Sequence, residues 1–325
     1  MFDQSSVISR RAVLAGMSAT GLGLASPAFA KAPLVNKSAP SVYRFKIGAF
    51  EATVVSDGPL ALGEPKPEFF VGISKDEITR DLTDNFLPTN DMVLEQNALV
   101  LNTGSKLILF DTGTGAAKMF GDKSGRILSN LRAAGIDPRA IDTVVLTHAH
   151  PDHCWGLMNA KRRNFPNAQI YLSQADLDFW TDEAKKSIPF VGQLIEPTRA
   201  ALLPNRDRIL FVKDGQEVVP GVQAMSAPGH TVGHTIFMVT SQNKTLCLTA
   251  DLAHHNILVM QHPKVEFGFD TDGKQGAATR IRMFDMIAAQ RLPILAYHFP
   301  WPGIGHIAKQ GDGFRFVPEP PVTVL

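Results

Sequence analysis

Short runs of apolar and polar positions recur along most of the chain, and many come in pairs. Tyr43 to Ile47 and Glu51 to Ser56 flank Gly48, and Asp57-Gly58-Pro59 ends the second run, which predicts two strands joined by a tight turn. Ala98 to Asn102 and Leu107 to Asp111 flank Thr103-Gly104-Ser105 and predict another hairpin. Further strands are predicted at Thr143–Leu146, Gln169–Leu172, Ile209–Val212, Val222–Ser226, Thr235–Thr240 and Thr245–Thr249. A 3.6-residue period puts Ile127, Leu128, Leu131 and Ala134 on one face of a helix over Gly125–Ala134, stopped by Gly135. A second amphipathic helix spans roughly Ala278–Gln290, and a short one is expected around Asp76–Leu82, in a stretch broken by Pro65, Pro67 and Pro88. Strands alternate with helices but also come as hairpins. That pattern points to a mixed, layered α/β fold rather than a simple parallel doubly wound sheet.

The first thirty residues read differently. Ser9-Arg10-Arg11-Ala12-Val13-Leu14 is a twin-arginine pattern, a weakly apolar Gly/Ala-rich stretch runs from Val13 to Leu24, and Ala28-Phe29-Ala30 is a small-x-small cleavage site. The apolar stretch is shorter than the roughly 20 residues a membrane span needs. Residues 1–30 are therefore expected to be a twin-arginine export signal, and residues 31–325 one domain, periplasmic or secreted, without a stable membrane anchor.

Composition narrows the function classes. With 44% apolar and 19% charged residues the chain can bury a sizeable core. Its 32 Lys and Arg nearly balance 31 Asp and Glu with no long basic run, which argues against a nucleic-acid partner and for a small-molecule one. A homodimer is left open. Cys154 and Cys247 are too few for a disulfide framework; one bridge between them is conceivable, but two buried thiols acting as small hydrophobes are expected.

The sharpest chemical signal is Thr147-His148-Ala149-His150-Pro151-Asp152-His153, directly after an apolar strand. Three imidazoles and one carboxylate fall within six residues, although the chain holds only 10 His. Imidazole with carboxylate suits zinc, manganese, iron or cobalt. Four ligands in one short loop cannot close two coordination spheres, so remote partners are needed. His230 stands in the Gly-rich run Ala227-Pro228-Gly229-His230-Thr231-Val232-Gly233-His234, Asp251 ends the run Leu248-Thr249-Ala250-Asp251, and His298 follows the apolar run Pro293–Ala296.

These motifs, taken together, resemble the ligand motifs of the metallo-β-lactamase superfamily. The resemblance implies a four-layer αβ/βα sandwich with metals in a cleft at its edge. It implies that His148, His150 and His230 hold one metal, that Asp152, His153 and His298 hold the other, and that Asp251 bridges both. Zinc is the first expectation, with manganese, cobalt or iron as alternatives. Asp57 and Asp111 match positions that support ligands from behind, as a ligating His needs its other N–H accepted; ordinary turn chemistry explains them nearly as well. Asp152 and Asp251 are the expected catalytic carboxylates. The implied reaction is attack by a hydroxide shared between two metals, with no Ser or Cys nucleophile, and Cys154 packing beneath the loop. His254 and His255 are left without a ligand role.

Narrower features resemble methyl parathion hydrolase and its lactonase relatives: the export signal, Asn102-Thr103-Gly104-Ser105-Lys106-Leu107, Met119-Phe120-Gly121, Asp178-Phe179-Trp180, Pro302-Gly303-Ile304-Gly305-His306-Ile307 and Phe314-Arg315-Phe316-Val317-Pro318. By that resemblance Phe120 and Trp180, and with less weight Phe190, line a substrate pocket for uncharged esters, lactones or aryl phosphotriesters. Tyr43, Tyr171 and Tyr297 include no obvious counterpart of the Tyr that orients substrate in quorum-signal lactonases, which argues against a dedicated homoserine lactonase. Lys161, Arg162 and Arg163 are the cations nearest the metal loop in sequence and threaten the uncharged-substrate reading if they fold over the cleft. Two alternatives compete. A glyoxalase II-like thioesterase shares the motifs, but only 27 Gly- and Pro-rich residues follow His298 in place of that enzyme's helical domain. A non-catalytic secreted metal- or ligand-binding protein would normally have lost ligands.

Overall fold

The ten predicted strands all form, and four more that the sequence reading did not include (Glu217–Val219, Pro293–Ala296, Ile304–Gln310 and Gly313–Pro318) complete two sheets of seven, in each of which the strands lie side by side in chain order. The computed structural model describes residue 34 and residues 38–321, so the export signal lies outside the described residues. The chain divides into Met1–Ala39 and Pro40–Leu325, and every element below belongs to the second unit. The first sheet holds β1 (Val42–Ile47), β2 (Phe50–Ser56), β3 (Asn97–Asn102), β4 (Leu107–Phe110), β5 (Thr143–Val145), β6 (Gln169–Ser173) and β7 (Ile209–Val212). Its first four strands are antiparallel hairpin partners, and β4 to β7 are parallel. The second holds β8 (Glu217–Val219), β9 (Val222–Ser226), β10 (Thr235–Ser241), β11 (Lys244–Ala250), β12 (Pro293–Ala296), β13 (Ile304–Gln310) and β14 (Gly313–Pro318), antiparallel throughout except β11 with β12.

Successive side chains of a strand point to opposite faces, and here both faces are buried. Leu99, Leu101, Ile108, Phe110 and Val145 of the first sheet pack against Phe237, Val239, Leu246, Leu248 and Leu295 of the second. Their chain neighbours Ala98, Val100, Leu109 and Val144 face a helical layer that includes α2 (Ile127–Ala133), α3 (Pro151–Cys154), α4 (Gln174–Thr181) and α5 (Gly192–Leu202). Ile236, Cys247, Ile294 and Ala296 face another, with α1 (Lys75–Asp84), α6 (Leu258–Gln261) and α7 (Gly273–Gln290). The result is the four-layer sandwich the resemblance implied. Cys154 and Cys247 sit in different outer cores and are free thiols. Among the described residues no helix is long and apolar enough to cross a membrane.

Local sequence accounts for the ends of elements. Ser74 and Glu77 form a capping box at the start of α1. Helix α7 starts five residues before the amphipathic run predicted at Ala278, because the Asp272 side chain accepts from Gln275 N and caps it there. Helices α4 and α5 have no counterpart in the sequence reading. Pro197 inside α5 and the weak segregation of apolar residues in α4 hide them.

Asp57, at the end of β2, ties three segments together. Its carboxylate accepts from Thr114 N (2.8 Å), Thr114 Oγ1 (2.9 Å), Gly125 N (3.1 Å) and Ile127 N (2.7 Å), the last at the start of α2. Gly113, at φ +73°, passes so close that a Cβ there would lie 2.3 Å from Asp57 Cγ, so only glycine fits. Burial pushes the Asp57 carboxyl up to about 6, against the four hydrogen bonds that pull it down. Asp57→Ala strands the two buried N–H groups of Thr114 and Ile127, each worth about 1–3 kcal/mol when unsatisfied, and a partly buried one at Gly125. We expect a loss of about 3 kcal/mol in denaturant unfolding with metal content unchanged. A loss under about 1 kcal/mol, or a fall in bound metal, would contradict this role.

Candidate metal centre

Each of the seven motif residues leaves the C-terminal end of a strand. The loop after β5 carries His148 and His150, then Pro151 starts α3, whose single turn presents Asp152 and His153. His230 follows β9, Asp251 follows β11 and His298 follows β12. The sheets bring these ends to one edge. There Asp251 Oδ2 lies 3.0 Å from His298 Nε2, 3.2 Å from His230 Nε2, 3.3 Å from His153 Nε2 and 3.8 Å from His148 Nε2. Asp152 Oδ2 lies 3.4 Å from both His153 Nε2 and His298 Nε2. His230 Nε2 is 2.8 Å from His150 Nδ1 and 3.2 Å from His148 Nε2.

Outer hydrogen bonds aim these rings. Asp111 Oδ2 accepts from His153 Nδ1 (2.9 Å), Asp270 Oδ1 from His230 Nδ1 (2.7 Å) and Glu95 O from His298 Nδ1 (2.8 Å). Each bond fixes a tautomer and leaves Nε2 bare toward the centre. His234 Nδ1 donates to Ala227 O, and its Nε2 accepts from Asp251 N at 3.1 Å, so this imidazole holds the Asp251 backbone. Two non-glycine residues here take positive φ, Asp111 at 61° and Ala250 at 44°, the kind of backbone strain that packed functional sites retain.

The donor set fits divalent metal. His153 Nε2 and Asp251 Oδ1 are buried with no hydrogen-bond partner, an expensive state unless a cation completes it. His148, His150 and His230 each offer a ligand atom within one 4.8 Å cluster, and so do Asp152, His153 and His298. Burial and neighbouring imidazoles hold His148 and His150 well below the usual histidine range, in the neutral form that ligates. At His230 burial acts the same way, but hydrogen bonds to Asp251 and Asp270 outweigh it and take the group up to about 9.

The structure therefore brings all seven motif residues together, with Asp251 between the two triplets. It separates the supporting carboxylates: Asp111 touches His153 and Thr147, whereas Asp57 bonds to none of the seven and serves the loop and α2 described above. Phe120 and Phe190 do line a cavity of about 240 Å³ over the centre, together with Leu62, Phe267, Phe269 and His254. Trp180 does not: it is buried, packing edge-on against His150 from behind with ring centroids 4.9 Å apart. Large rings are usually core, and this one is.

Two functional residues went unassigned in the sequence. His254 Nε2 lies 3.2 Å from Asp251 Oδ2, its ring stacks on Phe267 at 3.7 Å, and both its nitrogens are buried without a hydrogen-bond partner. Its spacing of three from Asp251 was the only signal. Asp270 looks like any turn aspartate, yet it orients His230 and lies 3.8 Å from the buried Arg280.

Comparison with known proteins agrees with this geometry. Residues 92–296 match the model of the metallo-beta-lactamase superfamily. An N-acyl homoserine lactonase of a Bacillus species is 26% identical over 195 residues, 60% of this chain and 67% of that protein. Among solved structures, AidC, a dizinc quorum-quenching lactonase in complex with a product, is similar with a TM-score of 0.81 at 29% identity, covering 87% of this chain and 99% of that one. The hydrolase AbOPH is similar with a TM-score of 0.80 at 28% identity and the same coverage. The chain belongs to the metallo-beta-lactamase superfamily and is one of its metal-dependent hydrolases.

Proposed function

We propose that the protein hydrolyses uncharged lactones and related esters carrying an apolar chain, at a two-zinc centre. The observation that carries this reading is the cavity. Its floor is the imidazole and carboxylate cluster, its walls are aromatic and aliphatic, and among the described residues no Lys or Arg lines it. Lys161, Arg162 and Arg163 do not fold over it. Arg163 bonds to Pro204 O and Asp207, and with Arg162 it lines a separate surface hollow. A carboxylated or phosphodiester substrate would meet no fixed cationic side chain for its far oxygen. The likeness to proteins named as lactonases favours lactones over aryl phosphotriesters, against the expectation drawn from the missing tyrosine.

His148, His150 and His230 would hold one ion, Asp152, His153 and His298 the other, and Asp251 both. Divalent ions supply Lewis acidity toward a substrate oxygen and lower the pKa of water to near neutral. The chain's own side chains do the rest. Asp152 borders the cavity and is placed to accept a proton from the attacking water and return it to the leaving oxygen. His254, held flat on Phe267, offers its unpartnered nitrogens to a polar group of the substrate. Phe120, Phe190 and Phe269 cover the apolar chain and exclude water, at about 0.8 kcal/mol per buried methylene.

Three outcomes follow. Asp251→Ala should lose more activity than the roughly 10–100-fold that removing an outer partner of a ligand costs, and should retain fewer ions by elemental analysis. Wild-type turnover with full metal would refute the bridge. In a matched pair of lactones, the neutral acyl chain should exceed one ending in a carboxylate by at least about tenfold in kcat/KM, because a desolvated charge lacks a partner. Equal rates would show a cationic clamp, and an aryl phosphotriester preferred over both would redirect the substrate class. Finally, Arg10→Lys with Arg11→Lys should leave precursor in the cytoplasm; mature-sized periplasmic protein from that variant would overturn the export reading, which rests on the sequence motif alone.

A further inference from the structure

Asp176, in the first turn of α4, is fully buried and has no part in the chemistry above. Its carboxylate Oδ2 accepts from Ala149 N at 2.8 Å and Thr231 Oγ1 at 3.0 Å, and its Oδ1 accepts from Gly233 N at 2.7 Å. Ala149 stands between His148 and His150, and Thr231 follows His230. One side chain from a third element thus clasps both segments that carry the His148, His150 and His230 triplet. The approach is close by construction. A Cβ on Gly233 would lie 2.3 Å from Ser173 Oγ and 2.8 Å from Asp176 N, so the turn can meet the start of α4 only as glycine. Thr235 N donates to Thr147 O at 2.9 Å beside the clasp and extends it.

The other triplet is braced separately. Asp111 holds His153, Glu95 O holds His298, and Tyr297 Oη donates to Asp152 O at 2.7 Å. None of these bonds involves Asp176. The two halves of the centre share Asp251 and meet again at Asp111, which also accepts from Thr147 N and Oγ1, the latter 3.0 Å from His148 Nδ1; Asp176 and Tyr297 each serve one half alone.

We propose that Asp176 is a positioning residue for one half of the centre: it sets the spacing between the His148–His150 segment and the His230 turn, and so governs the affinity for one of two metals. This rests on the two-metal reading above. A carboxylate is required because three donors converge on it. An amide of the same shape would turn an N–H₂ toward a donor and lose at least one of the bonds. A merely structural cross-link would instead change stability and leave both ions equally well held.

The test uses the full-length purified protein loaded with zinc, titrated against a chromophoric chelator. The variants are Asp176→Asn and Thr231→Val, the latter removing one of the three bonds at nearly constant shape. Should Asp176→Asn fail to fold, Thr231→Val carries the test. The wild type should yield two affinities. In each folded variant one affinity should persist and the other should fall by about 10–100-fold, the usual cost of losing an outer partner. Cobalt-substituted samples should lose one of two visible absorption components. Tyr297→Phe, which removes only the bond to Asp152 O, should spare the ion that the Asp176 variants lose, and combining Tyr297→Phe with Asp176→Asn should weaken both. Two unchanged affinities in a folded but less stable variant would overturn the proposal, as would an equal weakening of both. A wild type that binds fewer than two zinc ions would instead refute the two-metal reading beneath it.

Discussion

One carboxylate oxygen organises this molecule. Asp251 Oδ2 lies within 3.0–3.8 Å of nitrogens from His148, His153, His230, His254 and His298. Five imidazoles cannot crowd a buried carboxylate unless their charges are balanced by protons or by cations. The imbalance shows as opposite shifts. Burial and neighbouring imidazoles push His148 and His150 down, while Asp251, Asp152 and Asp111 overcome burial and push His153 well up. A pair of divalent ions resolves both, because neutral imidazole and ionised carboxylate are the ligating forms.

The two sheets exist, in functional terms, to deliver strand ends to that oxygen. The ligands come from positions 148 to 298, and each is one to five residues past the end of β5, or of β9, β11 or β12, except Asp152 and His153, which need the extra turn of α3. Delivery alone is not enough. Ala250 takes a left-handed backbone just before Asp251, and His234 then grips the Asp251 amide. Asp272 N donates to Gly229 O, and Thr279 donates to Pro228 O, so the start of α7 fixes the turn before His230. A Cβ on Gly229 would lie 2.2 Å from Gly276 N, and the residue's φ of +131° favours glycine as well.

How much of this was legible depended on whether the chemistry was concentrated in sequence. His148 to His153 announced themselves because four donors share six residues, and the strands announced themselves because both faces are apolar. Asp176 and Asp270 were not legible. Each has another aspartate two positions on and no metal-motif residue beside it, and only the fold reveals that its acceptor atoms meet donors some 27 to 57 positions away. Trp180 shows the converse error. Its place in an aromatic motif suggested a pocket wall, whereas it is buried in the core against His150 and Phe179. His254 was visible as a residue but not as a participant, since nothing in sequence shows that Phe267 would hold its ring over the centre.

The central claim is that two metals share Asp251. Electron paramagnetic resonance of the protein loaded with two equivalents of manganese tests it most directly. Two ions bridged by one carboxylate are spin-coupled, so the wild type should give a broad multiline signal that collapses to an isolated-ion signal in Asp251→Asn. Uncoupled single-ion spectra from the fully loaded wild type would contradict the account.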